Sequence, residues 1–224
     1  MNQIPTGSAD PYALRRQAQG VILITWAREY GFHLEKALDQ AISLYQGFST
    51  LEPGLVKGNL RDFFDLRLEY LLAFEGHKKE VIEAVLAAGW SDLNEVRLRT
   101  RALSQFQNHS EFPSLTIGCK RALNILKGVD LSMMGSVRET ELQEDAEIQL
   151  YEKIKENKQN LDYLLESRSY NEYLQNLAKL RENIDRFFEK VLVMAPDEKI
   201  KNNRLALLLE LTSLFNRFAL FSLI

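Results

Sequence analysis

Basic side chains with a neighbouring asparagine are the residues of this chain whose types and spacing most readily do chemistry. Arg97 and Arg101, in the run VRLRTRAL, share one face of a predicted helix. Lys120 and Arg121 are followed at helical spacing by Asn124. Cations placed in this way contact phosphates, and an asparagine can read the edge of a base. The pattern predicts an RNA-contacting surface built from these five residues.

Two more cations, Arg181 and Lys190, are weaker candidates, because acids between residues 182 and 189 can simply pair with them. The same caution applies to the whole set, since Arg and Lys on amphipathic helices are mostly solvated or paired. Between Lys57 and Arg121 the bases exceed the acids by only one, and the formal net charge of the chain is -3. That balance excludes a generally basic nucleic-acid binder but leaves a local RNA-binding face open.

Other chemistry finds little support in the residues. The histidines His33, His77 and His109 are far apart, and none stands at metal-ligand spacing from a second ligand. No Walker-type loop or nucleophile elbow occurs. Cys119 lies beside two cations that can lower its pKa, but an inert buried thiol is the favoured interpretation. We therefore expect no catalytic centre, no metal site and no cofactor in this chain.

Sparse glycine and proline, together with apolar residues at helical spacing, predict an all-α fold, a helical bundle. Asp10 and Pro11 open the first helix, Gly31 ends it, and a second helix spans about 34–45. The glycines and proline of 46–58 indicate a domain boundary. We expect a short helical hairpin over residues 1–50 and a larger helical domain over 51–224. Further helices are predicted at about 59–75, 78–88, 92–107, 114–127, 138–166 and 170–193, with a last one from about 203 to the end.

The last apolar stretch, Leu205–Ile224, is long enough to cross a membrane, but Glu210, Asn216 and Arg217 interrupt it, so a buried closing helix is predicted. The N-terminus has no apolar segment after a basic start and so does not resemble a signal peptide. The single cysteine fits a reducing cytosol, and a cytoplasmic location is expected. Phe187-Phe188 is expected to be a pair in the core.

A resemblance to a known family comes from five ordered blocks. The opening PTGSADPYALRRQAQGVI resembles P-T-G-S-x-D-P-F-A-L-R-R-x-A-x-G-(V/I) of the glycine–tRNA ligase beta subunit. RDFFDLRLEYLL is similar to the family's F-F-x-x-R-L block, and VIEAVLAAG to the helix that follows it. CKRALNIL resembles K-R-x-x-N-I-L. The last block, FFEKVLVMAPDEKIKNNRLALLLEL, is similar to F-F-D-x-V-(M/L)-V-M-x-x-D-x-x-(L/I)-R-x-N-R-L-x-L-L.

The resemblance implies a C-terminal, tRNA-binding part of the beta subunit that resembles the helical anticodon-binding domains named for a D-A-L-R motif. It implies that residues 1–50 are the remnant of a preceding HD-like domain, and that the chain is part of a longer subunit. In the family, the alpha subunit holds the glycine and ATP site, so the implied partners are glycine tRNA and that subunit, with no membrane. The chain would then serve an aminoacyl-tRNA synthetase, an ATP-dependent ligase of protein biosynthesis, without a catalytic site of its own.

Two departures from the family pattern stand near the end. Leu220 occupies a position where an aspartate is expected, which can remove a charge pair with Arg204 or Arg217. Lys201 replaces the usual arginine. Two other functions are alternatives. One is a helical module that docks to a protein and never touches RNA, whose signature would be a large exposed apolar stripe. The other is a fragment of an HD-type phosphohydrolase, which the absence of a His-Asp pair disfavours.

Overall fold

A computed structural model describes residues 10, 12–45, 52–130 and 134–224. Within these ranges the chain is helical and has no strand, apart from an isolated bridge between His33 and Asp92. The packing of the chain divides it into unit 1, Met1–Thr100, and unit 2, Arg101–Ile224. The predicted all-α fold is therefore confirmed for the described residues.

Unit 1 contains α1 (Leu14–Arg28), α2 (Leu34–Ser43), α3 (Pro53–Phe74), α4 (Lys79–Ala87) and the first part of α5 (Leu93–Phe106). Its core forms where α1 and α2 pack on α3 and α3 packs on α4. The Trp26 indole donates to the Leu93 carbonyl oxygen at 2.8 Å, which fixes the start of α5 against α1. Burial of the whole side chain together with one satisfied N–H is the usual arrangement for an interior tryptophan.

Carboxylates accept from the first amides of two of these helices, and the sequence predicted this for Asp10, although α1 begins at Leu14 and not at Pro11. Asp10 accepts from the backbone N–H groups of Leu14 and Arg15 at 2.8 and 3.1 Å. Asp92 accepts in the same way from Asn94 and Glu95, at 2.7 and 3.2 Å. Each carboxylate satisfies donors that have no partner inside the helix, and this is why the helices begin there.

Unit 2 contains the end of α5, then α6 (Phe112–Leu126), α7 (Asp145–Glu166), α8 (Tyr170–Ala178), α9 (Arg181–Lys190) and α10 (Glu198–Asn216). Helix α10 packs on α6 and α7, and α9 packs on the same two helices. Most of α10 is buried, as the prediction of a closing core helix required. Tyr173 donates from its hydroxyl to the Leu214 carbonyl and stacks on Phe218, so α8 is held against the end of α10.

Several predicted helix bounds were wrong. Helix α3 begins at Pro53 rather than near 59, because proline suits the first turn of a helix. The helix predicted over 138–166 begins only at Asp145, and Glu139–Glu141 form a short 3-10 helix before it. The helix predicted over 170–193 is two helices, with a break at 179–180. Helix α10 begins at Glu198, five residues before the predicted start, because Asp197 accepts from the Lys199 and Ile200 amides.

The predicted domain boundary after residue 50 lies outside the described residues and stays a prediction. The division found by packing, between Thr100 and Arg101, falls inside α5. No glycine or proline marks that point in the sequence. A boundary inside a continuous helix carries none of the turn signals from which a division can be predicted.

Candidate nucleic-acid interface

Helix α6 has one face in the core of unit 2 and one face exposed. Its buried residues recur at helical spacing and make up the inner face: Leu115, Thr116, Gly118, Cys119, Ala122 and Leu126. The exposed side carries Ile117, Arg121 and Asn124, spaced i, i+4 and i+7, with the partly exposed Lys120 beside them. Three of the predicted RNA-contacting residues are thus brought together. We call Lys120, Arg121 and Asn124 the basic face.

The side chains of the basic face bond no Asp or Glu side chain among the described residues. Lys120 donates from Nζ to the backbone oxygen of Ile224 at 2.5 Å. The Arg121 guanidinium lies over the Phe188 ring, 4.5 Å from its centroid. Asn124 uses its side chain for no hydrogen bond within the described part of the chain. Both cations are therefore available to an anion from outside the protein.

Helix α9 supports the basic face from behind. A Cβ added to Gly118 would lie 2.6 Å from Cγ2 of Ile184, so the two helices approach closely at this point. Phe188, one turn after Ile184, is 8% exposed and carries Arg121 on its ring. The expected core pair Phe187-Phe188 is confirmed, and the aromatic ring also orients one cation of the face.

The two helices run in the same direction. Residue numbers rise on both helices through three successive contacts: Glu111–Arg181, Gly118–Ile184 and Arg121–Phe188. The end of α9 therefore lies at the same end of the pair as Asn124. Lys190 is exposed there and pairs with no acid among the described residues. It adds a third cation to this end of unit 2.

The other predicted cations have different surroundings. Arg181 bonds Glu111 and Asp185, each at 3.0 Å, and the Glu111 hydrogen bond is the main cause that raises the pKa of Arg181. Arg97 belongs to unit 1, bonds Glu75 at 2.9 Å through Nε and lies over the Trp26 ring. Arg101 is exposed on α5 in unit 2. The structure thus brings together Lys120, Arg121 and Asn124 on α6, and Lys190 lies at the end of the neighbouring helix α9.

Cys119 is fully buried on the inner face of α6. Burial raises the pKa of its thiol to about 12, against a smaller lowering by the adjacent Lys120. A thiol with that pKa carries almost no thiolate at neutral pH and is a poor nucleophile. The interpretation of Cys119 as an inert core residue is confirmed.

Two polar residues near the end of the chain are buried instead of exposed. The Arg204 guanidinium is paired with Glu147, whose side chain is 0% exposed. The Asn203 amide accepts from the backbone N–H of Arg138 at 2.8 Å and donates to its carbonyl at 3.1 Å. Arg217 is the other arginine that could have paired with an aspartate at position 220, and it is paired with Asp162 instead. These residues hold α10 to the rest of unit 2.

Sequence reasoning did not find the partners of Arg204 and Asn203. The Asn-Arg pair stands in the last family-like block, but nothing in its spacing shows that it is buried. The acid that meets Arg204 lies 57 residues earlier, in the segment predicted as a helix over 138–166. Contacts of that sequence separation leave no local signal.

The described residues carry neither a metal-ligand cluster nor a membrane-spanning helix. Within the described ranges, no group of three or more His, Cys, Asp or Glu side chains is placed to hold a metal ion. The described helices include none with the length and apolar content needed to cross a bilayer. His77 lies near Glu75, with 3.7 Å between Nε2 and the carboxylate, and His109 stacks on Phe106.

The chain matches two family models in separate segments. Residues 1–87 match the family described as glycyl-tRNA synthetase beta subunit. Residues 115–221 match the DALR anticodon binding domain, and this segment contains nearly all of α6 and the whole of α7–α10. The basic face and Lys190 therefore both lie in the part of the chain that matches an anticodon-binding domain.

Curated relatives match the chain along nearly its whole length. The glycine–tRNA ligase beta subunit of Syntrophus aciditrophicus is 40% identical over 227 residues, which cover 99% of this chain and 32% of that protein. Those of Moorella thermoacetica and Trichlorobacter lovleyi are 40% and 36% identical, over 98% and 96% of this chain. The chain spans about a third of the length of these relatives. The predicted resemblance to the C-terminal region of the beta subunits is confirmed.

Proposed function

We propose that this chain, a relative of the glycine–tRNA ligase beta subunits, binds the anticodon arm of glycine tRNA through the basic face of α6. In the proposal, Lys120 and Arg121 contact phosphates and Asn124 reads a base edge, while Lys190 adds a further phosphate contact. One observation carries the proposal. Two cations and an amide project together from an exposed helix face, with no Asp or Glu side chain bonded to them in the described part of the chain, inside the segment that matches an anticodon-binding domain.

The electrostatics of the basic face suit this role. A cation already bonded to a carboxylate must give up that partner before it can neutralise a phosphate, and the exchange gains little. Neither Lys120 nor Arg121 is bonded to an Asp or Glu side chain, whereas Arg181 is bonded to two. Arg121 is in addition held over a ring, so less conformational freedom is lost when it binds. We accordingly rank Arg97, Arg101 and Arg181 below the residues of the basic face as candidates for phosphate contact.

We propose that this chain works together with another subunit. The relatives are named beta subunits, which implies at least one other subunit, and we take an alpha subunit as the partner that carries the glycine and ATP chemistry. Binding the anticodon arm far from the reacting groups supplies specificity to a reaction carried out elsewhere. A cytoplasmic location is part of the same proposal.

A module that docks only to protein is not favoured. Leu66, Tyr70 and Phe74 do form an exposed apolar stripe along α3, each at least 60% exposed, which is the signature named for that function. The stripe belongs to unit 1, however, while unit 2 carries the basic face and the anticodon-binding match. A protein contact through unit 1 and an RNA contact through unit 2 are compatible.

Salt-dependent binding tests the proposal. The chain with Lys120→Ala and Arg121→Ala is compared with the unsubstituted chain for affinity to a glycine tRNA transcript between low and moderate salt. Each lost phosphate contact lowers the slope of log K against log salt by roughly 0.7–0.9, so the double variant should lose about 1.5 from the slope.

A matched control removes the same charge from another helix of unit 2. Lys153→Ala with Lys158→Ala, both on α7, changes the net charge equally but should leave the slope unchanged. Equal slopes for the unsubstituted chain and the α6 variant would remove the basic face from the binding site. Equal losses in both double variants would show that only the net charge matters.

A further inference from the structure

Unit 2 also has a concave site, which lies between the end of α5, the turn that follows it, and α8. Four exposed side-chain amides line it, two from each side: Gln105, Asn108, Asn171 and Gln175. Phe106, His109 and Leu174 complete the lining. We call this site the amide pocket. None of its residues was singled out from the sequence as a ligand-binding residue, because isolated amides carry no distinctive spacing.

The turn between α5 and α6 gives the amide pocket a fixed wall. The His109 amide donates to the Phe106 carbonyl at 2.9 Å, and the Phe112 amide donates to the His109 carbonyl at 3.0 Å. The imidazole stacks on Phe106 with 5.2 Å between ring centroids and 26° between planes, and Phe106 in turn meets Phe112 edge-on. The exposed imidazole is therefore a flat surface that is held in place from beneath.

The four amides are not used by the protein itself. Within the described residues, none of them donates or accepts a side-chain hydrogen bond. Two other amides of unit 2 are used within the protein: Asn176, on the same helix α8, donates to the Glu172 carbonyl at 2.8 Å, and Asn203 bonds Arg138 twice. Four uncommitted amides that converge on one concavity offer eight donor hydrogens and four acceptor oxygens to an external ligand.

The chemistry of the lining selects a class of ligand. No Lys, Arg, Asp or Glu lines the amide pocket, so it suits an uncharged group and not a phosphate. Leu174 and Phe106 lie beneath the pocket, at 1% and 6% exposure, and the exposed His109 ring above Phe106 supplies its flat surface. A flat group with donors and acceptors alternating along its edge fits such a site, and an unstacked nucleobase is that kind of group.

We infer that the amide pocket receives one unstacked base of the same RNA whose phosphates lie on the basic face. The inference rests on the proposed function and deepens it by naming a second contact. His109 and the apolar base of the pocket take the flat face of the nucleobase, and the amides bond its edge. The pocket lies at the start of α6 and the basic face near its end, separated by about 18 Å of helix axis between Phe112 and Asn124.

The test removes two amides without touching the core. Asn171→Ala with Gln175→Ala is compared with Asn176→Ala, which removes an amide of the same helix that lies outside the pocket. Each full-length variant is titrated with glycine tRNA transcripts that carry a single abasic nucleotide at successive positions of the anticodon loop. We expect the pocket variant to bind the intact transcript about tenfold more weakly, and Asn176→Ala to bind it normally.

Two further readouts separate this site from the basic face. The slope of log K against log salt should be unchanged in the pocket variant, because amides release no counterions. The tenfold loss should also disappear for the transcript that already lacks the base bound in the pocket. Such a loss of coupling at one nucleotide is not expected from a general disturbance of α8.

The other outcomes overturn the inference in distinguishable ways. Unchanged affinity in the pocket variant, while Lys120→Ala with Arg121→Ala still lowers the salt slope, overturns the amide pocket and leaves the proposed function standing. A loss of equal size for every transcript also overturns it, because no single base is then being read. An unsubstituted chain that binds none of the transcripts overturns both.

Discussion

Two short motifs of similar composition, one on α6 and one on α10, have opposite roles in this molecule. Lys120, Arg121 and Asn124 project from α6 with no acid partner in the described part of the chain. Asn203 and Arg204 lie inside unit 2, bonded to Arg138 and Glu147. Both motifs belong to blocks that resemble the beta-subunit family. The comparison teaches that burial separates the basic residues of family-like blocks that hold the fold from those that stay exposed to an external partner.

The largest effect should come from breaking the buried pair. Arg204→Ala leaves Glu147, with a fully buried side chain, without its cation. We expect the free energy of unfolding to fall by about 3–5 kcal/mol, measured by urea denaturation followed by circular dichroism. The variant Arg204→Met with Glu147→Gln, which removes both charges, should recover most of that loss. A loss below about 1 kcal/mol in Arg204→Ala would contradict a buried structural role.

The inner face of α6 provides the next test, because it separates packing from binding on one helix. Gly118→Ala places a Cβ 2.6 Å from Cγ2 of Ile184, so α9 must shift. We expect a destabilisation of about 2 kcal/mol by the same denaturation assay, as overpacked cores show. Adding Ile184→Ala should relieve the clash. If Gly118→Ala is as stable as the unsubstituted chain, α6 and α9 do not approach as closely as described.

Asn203→Ala should have a smaller effect. It leaves the backbone N–H and carbonyl of Arg138 without the two bonds that they now make, at 2.8 and 3.1 Å. We expect a cost of about 1.5 kcal/mol in the free energy of unfolding. Asn203→Asp keeps the acceptor and loses the donor, so its free energy of unfolding should lie between those of the unsubstituted chain and Asn203→Ala. Hydrogen exchange at the Arg138 amide gives a local readout, and unchanged protection there would refute the assignment.

The smallest effect on stability should come from the basic face. Lys120→Ala with Arg121→Ala removes two cations that have no acid partner, so we expect the free energy of unfolding to change by less than about 0.5 kcal/mol. The same variant should show the largest loss of RNA affinity. A destabilisation as large as that of Arg204→Ala would erase the contrast between the two motifs, and the basic face would then be structural as well.

The sequence predicts the helical class and most helix positions because helix starts and stops carry local signals. Asp10 and Asp92 accept from the first amides of their helices, and Gly31 and Gly128 follow helix ends. The break at 179–180 was missed because AKLREN contains no residue that stops a helix. Helix α8 ends there for tertiary reasons, as Leu180 is fully buried.

The candidate site was predictable only in part. Helical spacing places Lys120, Arg121 and Asn124 near one another, and the structure confirms that placement. Spacing does not show whether a cation already has a partner, so Arg97 ranked with Arg121 until Glu75 was located. Arg181 was ranked lower because of the acids near it, and Asp185 is one of its two partners, with Glu111 as the other. The amide pocket depends on two segments more than sixty residues apart, and no local pattern announces such a meeting.

One measurement tests the central claim most directly. The unsubstituted chain is titrated with a glycine tRNA transcript and with the same transcript carrying a changed anticodon, at several salt concentrations. If unit 2 reads the anticodon arm, the change should weaken binding by tenfold or more while the salt slope, set by phosphate contacts, stays the same. Equal affinity for both transcripts at every salt concentration would contradict the account and leave this chain without a role in reading the anticodon.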